Sequence, residues 1–380
     1  MKNFCLLAFL LLFSGVLSAQ EKEWTLEECV NYALENNISV KQAELDVDFA
    51  EIDKSDAIGN FIPSINGQAT NSWNTGLTQN VTTGILQNQT VRNFSAGVSA
   101  GLTLFNGLRN FKELQRARIS RLASEYSLDK MKDDIALFVA DAYLQVLFNK
   151  QNLEVLRAQN EVTQEQIDRT RELVEAGVLP EGDLLEIRAT MADEQQKMIL
   201  AENQIQISLI SLAQTLGIQD YQNFDIVERD YDIFGSEILE NSVYDIIERA
   251  KEERSEIKIA EANKELAEKD VELAKGAYLP TLGAFFNYNT RATGQDQVVD
   301  IIPDPDNPTR QIGFVEGTNQ SVLTPNTIPV LGSPLPFFDQ LSRNDGFSYG
   351  VQLNIPVLNG FATRNQVKRN EIGVLRAEYR

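Results

Sequence analysis

The chain has 380 residues, a formal net charge of −21, two cysteines and no histidine. Without histidine it has no Ser-His-Asp triad, no Cys-His pair and no zinc site of the usual kind, so carboxylates are the main groups left for catalysis. A surface this acidic repels nucleic acid and anionic lipid and tends to attract cations.

Residues 1–19 have the pattern of a secretory signal peptide. Lys2 precedes an unbroken apolar run over residues 4–13, and small residues follow the run. The run is well short of the roughly 20 residues that cross a bilayer as a helix, which disfavours a retained anchor. Cys5 would leave with the signal, and Cys29 then has no second cysteine with which to form a disulfide.

One strand pattern occurs twice. FSAGVSAGLTLFNG, residues 94–107, and FSYGVQLNIPVLNG, residues 347–360, alternate apolar with small or polar residues. This alternation indicates strands of about 12 residues. An upstream companion that begins near a proline precedes each copy. We therefore predict two β-hairpins, over residues 61–105 and 278–358.

The predicted strands suit either a membrane or a soluble sheet. They exceed the usual five or six residues and match the roughly 9 to 11 that cross a bilayer at a tilt. In the first copy Leu102 and Leu104 fall on the apolar face. Alternation alone does not exclude a water-soluble sheet lying on a core. In lipid, four strands cannot close a barrel and an open edge is not tolerated, so several chains would have to share one barrel.

The two hairpins differ in their loops. The loop of the first, residues 77–93, is polar and rich in Asn, Gln and Thr. The loop of the second, residues 291–345, holds seven of the eleven prolines, and we interpret it as an irregular surface excursion.

A long α-hairpin follows the first β-hairpin. No Gly or Pro occurs between Gly107 and Gly177, so we predict a helix over residues 107–175 with Asn106 as its N-cap. After a break at residues 176–182, a second helix runs over residues 183–216. The α-hairpin therefore covers residues 107–216.

Both helices of the α-hairpin carry coiled-coil heptads. In the first helix the inward positions include Phe138. In the second helix Glu194 and Ser208 occupy two polar positions of the series. Its apolar positions are Leu184, Ile187, Met191, Met198, Ala201, Ile205 and Leu212.

The helical segments ahead of the two β-hairpins, residues 25–59 and 242–276, match at a constant offset of 217 positions. We therefore divide the mature chain into a first repeat, 20–216, an equatorial connector, 217–241, and a second repeat, 242–380. The second repeat ends about 20 residues into its long helix, so we expect a fragment that lacks roughly 85 residues or more, by analogy with the first repeat. A genuinely asymmetric protein is the alternative.

Two features resemble the TolC-like outer-membrane efflux proteins. WTLEECVNYALENN, residues 24–37, resembles the family's N-terminal opening. The strand exits Asn106-Gly107 and Asn359-Gly360 are typical of the family's strand-to-helix junctions.

The turn of the α-hairpin is the most specific match. Around RELVEAGVLPEGDLLEIRA, residues 171–189, the positions of Arg169, Leu173, Gly177 and Asp183 fit the family's spacing. On either side of Gly177, Ala176 and Val178 depart from the family's usual residues. These departures bear on which partner docks.

The resemblance implies an α+β membrane protein. Its two β-hairpins would contribute to a shared trimeric 12-stranded transmembrane barrel, and its long antiparallel coiled-coil α-hairpins would form a periplasmic tunnel. The implied function is a passive exit duct of a tripartite efflux or type I secretion system, energised by an inner-membrane pump. The location would be the outer membrane of a Gram-negative bacterium.

The implied partners are two further copies in a homotrimer, a periplasmic adaptor (membrane fusion protein), an inner-membrane transporter and outer-membrane lipid. The turn with Arg169, Leu173, Gly177, Val178 and Asp183 would face the periplasmic partners, and Asp183 is a candidate for the entrance gate. No enzyme activity, cofactor, metal or nucleic acid is expected.

Two alternatives stay open. The turn residues also permit a structural interpretation, since Gly177 allows the positive φ of a helix C-terminus and Asp183 can cap the next helix. A periplasmic or surface coiled-coil scaffold or adhesin would show the same heptads, although it does not need paired amphipathic strands.

Overall fold

The computed structural model describes residues 23–79, 86–219, 221–228 and 241–379. The predicted signal peptide and residues 220 and 229–240 of the predicted connector lie outside the described residues. The chain divides into two compact units, which are described separately. Of the described residues, the first unit takes 23–54, those within 117–266 and 376–379, and the second takes those within 55–116 and 267–375.

The described residues form both helices and strands. The helices are α1 (Leu26–Asn36), α2 (Ile38–Gly59), α3 (Arg109–Glu175), α4 (Glu181–Leu216), α5 (Val243–Glu253), α6 (Ser255–Gly276), α7 (Phe337–Arg343) and α8 (Ala362–Glu378). The strands are β1 (Glu23–Trp24), β2 (Ser64–Gln79), β3 (Leu86–Asn106), β4 (Asp225–Ile226), β5 (Thr281–Thr293), β6 (Gln297–Pro303), β7 (Thr309–Phe314), β8 (Ser321–Pro325), β9 (Thr327–Gly332) and β10 (Gly346–Asn354).

The helix pairs that precede the two β-hairpins repeat in length. α1 and α5 each have 11 residues, and α2 and α6 each have 22. One extended residue interrupts each pair, Asn37 with ψ 133° and Arg254 with ψ 126°. The helical segments predicted over residues 25–59 and 242–276 are therefore each divided into two helices at one residue. Asn37 ends α1 and caps α2, because its side-chain oxygen accepts a hydrogen bond from the Ser39 backbone N–H at 2.8 Å.

The core of the first unit forms next to the short parallel pair of β1 and β4. Residues of α1, α3, α4 and β4 are buried there, and the Tyr143 hydroxyl donates to the Val227 carbonyl at 2.8 Å. Phe138, predicted to face inward, is 60% exposed, whereas Val139 is fully buried. One residue turns a helix by about 100°, so the buried seam lies one position beyond the predicted one.

Two polar contacts hold α3 and α4 in register. The Thr163 hydroxyl donates to Glu194 at 3.0 Å, and the Asn149 amide donates to the Ser208 hydroxyl at 3.1 Å. All four side chains are buried. Glu194 and Ser208 are therefore interior residues, as their heptad positions predicted.

The second unit contains a four-stranded antiparallel sheet in the order β10-β5-β3-β2. The two β-hairpins join through β3 and β5, which leaves β2 and β10 as outer strands. β2 has 16 residues and β3 has 21, so both extend into the loop predicted at residues 77–93. A bulge between Thr103 and Phe105 sets Phe105 opposite Leu282. The strict alternation predicted for this strand therefore ends at Thr103.

The segment predicted as an irregular excursion, residues 291–345, is largely regular, so that prediction is also wrong. β6 pairs with β9 and β7 pairs with β8, in both cases antiparallel. Pro303 and Pro325 lie at the ends of β6 and β8, where a proline costs least to the hydrogen-bond ladder. The Gln340 side chain of α7 ties this segment to β5, through bonds of 2.8 and 2.9 Å to the backbone of Thr293.

Candidate functional site

One face of the four-stranded sheet is apolar and exposed. The register sets Tyr349 opposite Phe286, Phe286 opposite Ala100, and Ala100 opposite Ile65, so one apolar row crosses all four strands. Tyr349 is 75% exposed, and its ring stacks on that of Phe347 with centroids 6.3 Å apart. Contiguous exposed apolar side chains of this size mark a surface that contacts a partner or a membrane.

The opposite face of the sheet is mainly polar. Ser348, Asn287, Ser99 and Asn66 form one row across the four strands. Phe285 is an aromatic exception on this face. It packs over Gly350, where an added Cβ would lie 3.1 Å from the ring. The sheet thus has one apolar and one largely polar surface. Each surface spans both β-hairpins and is wider than one hairpin alone could make.

The turn of the α-hairpin lies in the first unit, between α3 and α4. Gly177 has φ 74°, and the Val178 backbone N–H donates to the Leu173 carbonyl at 2.9 Å, which closes the end of α3. A Cβ on Gly177 would meet nothing within 4 Å, so only the backbone conformation favours glycine. The residues predicted for docking, Arg169, Leu173, Gly177, Val178 and Asp183, are all exposed.

Asp183 does not cap α4, contrary to the structural interpretation of the sequence. The N-cap is Pro180, which makes no side-chain cap bond, and Asp183 lies in the first turn with Glu181. Helix α4 begins earlier than predicted because Glu181 and Gly182 already adopt helical geometry. The two carboxylates interact favourably with the positive, N-terminal end of the helix dipole, and they give the turn an exposed negative charge.

The two strand-to-helix junctions have the same backbone geometry. Gly107 and Leu108 have φ 72° and 62°, and Gly360 and Phe361 have φ 59° and 64°. Two successive residues with positive φ redirect the chain from strand to helix. A left-handed conformation strains Leu108 and Phe361, whereas glycine adopts it freely.

Asparagine side chains secure both junctions. The Asn110 backbone N–H donates to the Asn106 side chain at 3.2 Å, and the Asn359 amide bonds the Thr363 hydroxyl. Asn106 is the last residue of β3, and α3 begins at Arg109. Asn106 therefore lies two positions before the N-cap position, residue 108. Its prediction as the N-cap is therefore wrong in position, although its side chain does serve the first turn.

The end of α6 packs closely on the start of α3 within the second unit. A Cβ on Gly107 would lie 2.2 Å from the Gly276 carbonyl oxygen, so the two backbones are in contact. Arg116 Nε lies 2.7 Å from Asp270 Oδ1. We call Gly107, Arg116, Asp270 and Gly276 the inner joint. The sequence patterns did not single out Arg116, Asp270 or Gly276. A comparison of the two repeats could have done so, because the same residue types recur at the matching positions of the other repeat.

A second ion pair lies beside the inner joint. Lys112 Nζ is 2.6 Å from Glu272 Oε2. The hydrogen bond from Lys112 lowers the pKa of Glu272 and outweighs the opposing effect of desolvation. The carboxylate therefore stays charged at neutral pH.

Two further kinds of feature are absent from the described residues. Across residues 23–79, 86–219, 221–228 and 241–379, no three or more His, Cys, Asp or Glu side chains are placed to hold a metal ion. No helix in these ranges combines the length and apolarity of a membrane span.

Comparison with known proteins identifies the family. The family model described as outer membrane efflux protein matches residues 29–218, half of the chain. Outer membrane protein TolC of Vibrio cholerae is 26% identical over 199 residues, which cover 51% of this chain and 44% of TolC. The pyoverdine export outer membrane protein OpmQ of Pseudomonas putida is 27% identical over 218 residues, which cover 56% of this chain and 44% of OpmQ.

A solved structure has a similar fold. The outer membrane protein VceC from Vibrio cholerae has a TM-score of 0.68 and 15% identity, over 93% of this chain and 74% of VceC. The matched part of the chain spans less than half the length of TolC and OpmQ. The α+β fold class and the outer-membrane location in a Gram-negative bacterium, both predicted from the sequence, are confirmed. The chain belongs to the outer membrane efflux protein family.

Proposed function

We propose that the chain is a subunit of a homotrimeric exit duct in the outer membrane. Three copies contribute their four-stranded sheets to one 12-stranded barrel, and their α-hairpins form a tunnel on the periplasmic side. Helix α3 has 67 residues, which at 1.5 Å per residue gives a wall of roughly 100 Å. Transport through the duct is passive, and an inner-membrane pump supplies the energy.

The four-stranded sheet carries this proposal. Its outer strands β2 and β10 pair with no further strand among the described residues. An open edge is not tolerated in lipid, so the outer strand of one copy would pair with that of the next. The apolar face with Phe286 and Tyr349 would meet lipid, and the face with Asn287 and Ser99 would line the lumen.

The turn between α3 and α4 is the proposed docking surface. Arg169, Leu173, Gly177 and Val178 are exposed there, and they would contact a periplasmic adaptor and an inner-membrane transporter of a tripartite efflux or type I secretion system. Asp183 would narrow the entrance as a gate residue. The exported molecules would be small compounds or proteins.

The mass of the native protein in detergent tests the proposal. The protein is extracted from the outer membrane fraction of its host, and light scattering gives the protein mass within the detergent complex. We expect the mass of three chains, found in that fraction alone. A soluble monomer or dimer would contradict the duct and favour the coiled-coil scaffold.

A further inference from the structure

The inner joint is one of the places where the first repeat meets the second within the chain. Arg116 of α3 binds Asp270 of α6 at 2.7 Å, and the backbones of Gly107 and Gly276 touch. Strands β3 and β5, which flank the same place, pair directly, with Gly97 opposite Asn289. The ion pair and glycine contact of the inner joint therefore lie next to a strand pairing between the same two repeats.

The repeat places the same four residue types near the two outer strands. They lie on α2, which precedes β2, and just before or on α8, which follows β10. We call these two places the outer edges. Helix α2 matches α6 at an offset of 217 positions, and α8 matches α3 at an offset of 253. Asp270 and Gly276 thus correspond to Asp53 and Gly59. Arg116 and Gly107 correspond to Arg369 and Gly360. All four residue types are kept.

These four outer residues have no such contact with the residues that the structure describes. Asp53 and Arg369 are exposed, and neither forms an ion pair with any residue that the structure describes. A Cβ on Gly59 would meet nothing within 4 Å, and Gly59 does not have a positive φ. Neither the backbone conformation nor the space left by the described residues requires glycine at position 59, whereas the matching Gly276 is in close contact with the Gly107 backbone.

We propose that Asp53, Gly59, Gly360 and Arg369 form an outer joint between neighbouring copies of this chain. Arg369 of one copy pairs with Asp53 of the next, and the Gly360 backbone packs against Gly59. Strand β10 pairs with β2 of the next copy in the register that β3 has with β5, which sets Gly350 opposite Ser72. This assignment rests on the proposed homotrimer and names the residues that hold it together.

A second copy is the occupant that the observations favour. The two outer edges are complementary to each other, because each carries the half of the inner joint that the other lacks. They are also opposite in charge, Asp53 on one edge and Arg369 on the other. Each copy can therefore use both edges at once, which gives a closed ring rather than a single pair.

Cross-linking in the outer membrane tests the outer joint. The full chain with Asp53→Cys and Arg369→Cys is treated with a short bismaleimide and separated under denaturing conditions. We expect the mass to shift from one chain to two and three chains. Cys29 is fully buried and does not compete for the reagent.

Two matched pairs calibrate this result. Arg116→Cys with Asp270→Cys should cross-link within one chain, which shows that the reagent spans an Arg–Asp pair of this geometry. Glu51→Cys with Arg369→Cys should stay at the mass of one chain. Glu51 lies 3.0 Å from Arg121 of its own chain, and two residues along a helix place it on the side opposite Asp53.

Charge exchange gives an independent measurement. Arg369→Asp or Asp53→Arg alone should lower the trimeric fraction in detergent about two- to five-fold, and the double exchange should restore it. The wild-type protein could form a trimer while the Asp53→Cys/Arg369→Cys variant keeps the mass of one chain after cross-linking, or links only within one chain. That result would overturn the outer joint but not the trimer. A wild-type protein that forms no trimer would overturn both proposals.

Discussion

Inside the α-hairpin, the Thr163 hydroxyl donates a hydrogen bond of 3.0 Å to the carboxylate of Glu194. Both side chains are buried, and the Asn160 amide donates to the other carboxylate oxygen at 3.4 Å. Glu194 forms no ion pair with the described residues of the hairpin. The buried carboxylate therefore depends on neutral donors from α3, which fixes how α3 and α4 align.

Thr163→Val should destabilise the α-hairpin. The substitution removes the shorter of the two hydrogen bonds to a buried carboxylate, which costs about 1–3 kcal/mol of unfolding free energy. Thr163→Val combined with Glu194→Leu should recover much of that loss, because no charge is then left buried. Urea unfolding followed by circular dichroism measures the change.

Thr190→Val on α4 is the matched control for this cycle. The Thr190 hydroxyl bonds only to the Glu186 carbonyl on the exposed side of the same helix, at 3.2 Å. Its replacement should change the unfolding free energy by less than about 0.5 kcal/mol. Equal losses from both threonine variants would contradict a special role for the bond to Glu194.

Lys150 should make the protein sensitive to alkaline pH. Desolvation opposes its charge, but hydrogen bonds to Asp225 at 2.8 Å and Glu228 at 3.2 Å outweigh that effect and raise the pKa of Lys150. The stability that this raised pKa contributes is fully present below the ordinary lysine value of about 10.4 and is lost as pH rises through the folded pKa.

Lys150→Met should therefore flatten the alkaline limb of a plot of unfolding midpoint against pH. The side chain is 13% exposed and its partners are about half exposed, so the effect should be modest but measurable. Lys197→Met is the control, because Lys197 pairs with Asp193 on an exposed helix face. An unchanged alkaline limb in Lys150→Met would refute the prediction.

Gly107→Ala should be far more damaging than Gly177→Ala. Both residues have positive φ, which costs an alanine roughly 1–2 kcal/mol. At Gly107 the new Cβ would also meet the Gly276 carbonyl oxygen at 2.2 Å, whereas at Gly177 it meets nothing within 4 Å. This overpacking should add about 1–3 kcal/mol of destabilisation.

The amount of folded protein in the outer membrane measures the glycine series. We expect a clear fall for Gly107→Ala, a small one for Gly177→Ala and none for Gly182→Ala, since Gly182 has open space and no positive φ. Equal yields for the first two variants would show that the contact with Gly276 does not constrain the fold.

Leu173→Ser combined with Val178→Ser should abolish export without changing the mass of the assembly. The two side chains are 37% and 66% exposed at the turn, so their loss removes apolar docking surface and little internal packing. Export from cells and co-purification with the adaptor are the measurements. Ile199→Ser is the control, since Ile199 is 59% exposed on α4 away from the turn. Normal export by the double variant would place the docking surface elsewhere.

In β3, the alternation of residue types showed which residues share a face of the sheet, but only as far as Thr103. The bulge there depends on how β3 pairs with β5, and no local pattern encodes a pairing between strands so far apart in sequence. The same applies to residues 291–345. Their prolines indicate turns, whereas the pairing of β6 with β9 arises from contacts that only the folded chain brings together.

For the candidate site, the sequence could indicate residues with a special backbone or heptad position. Gly177 and Gly107 have positive φ, and Glu194 and Ser208 are buried polar residues of α4. Phe138 could not be placed, because a heptad fixes the inward side only to within one residue. The ion pair of Arg116 with Asp270 joins two charged residues 154 positions apart, which composition cannot distinguish from other exposed charges.

Solutes should pass through a pore formed by this protein, and single-channel recording measures that passage. The native protein is extracted from the outer membrane, shown by light scattering to have the mass of three chains, and inserted into a planar bilayer. We expect discrete conductance steps with a reversal potential that favours cations, because the chain carries a net charge of −21. A preparation of that mass that gives no conductance steps would contradict the claim.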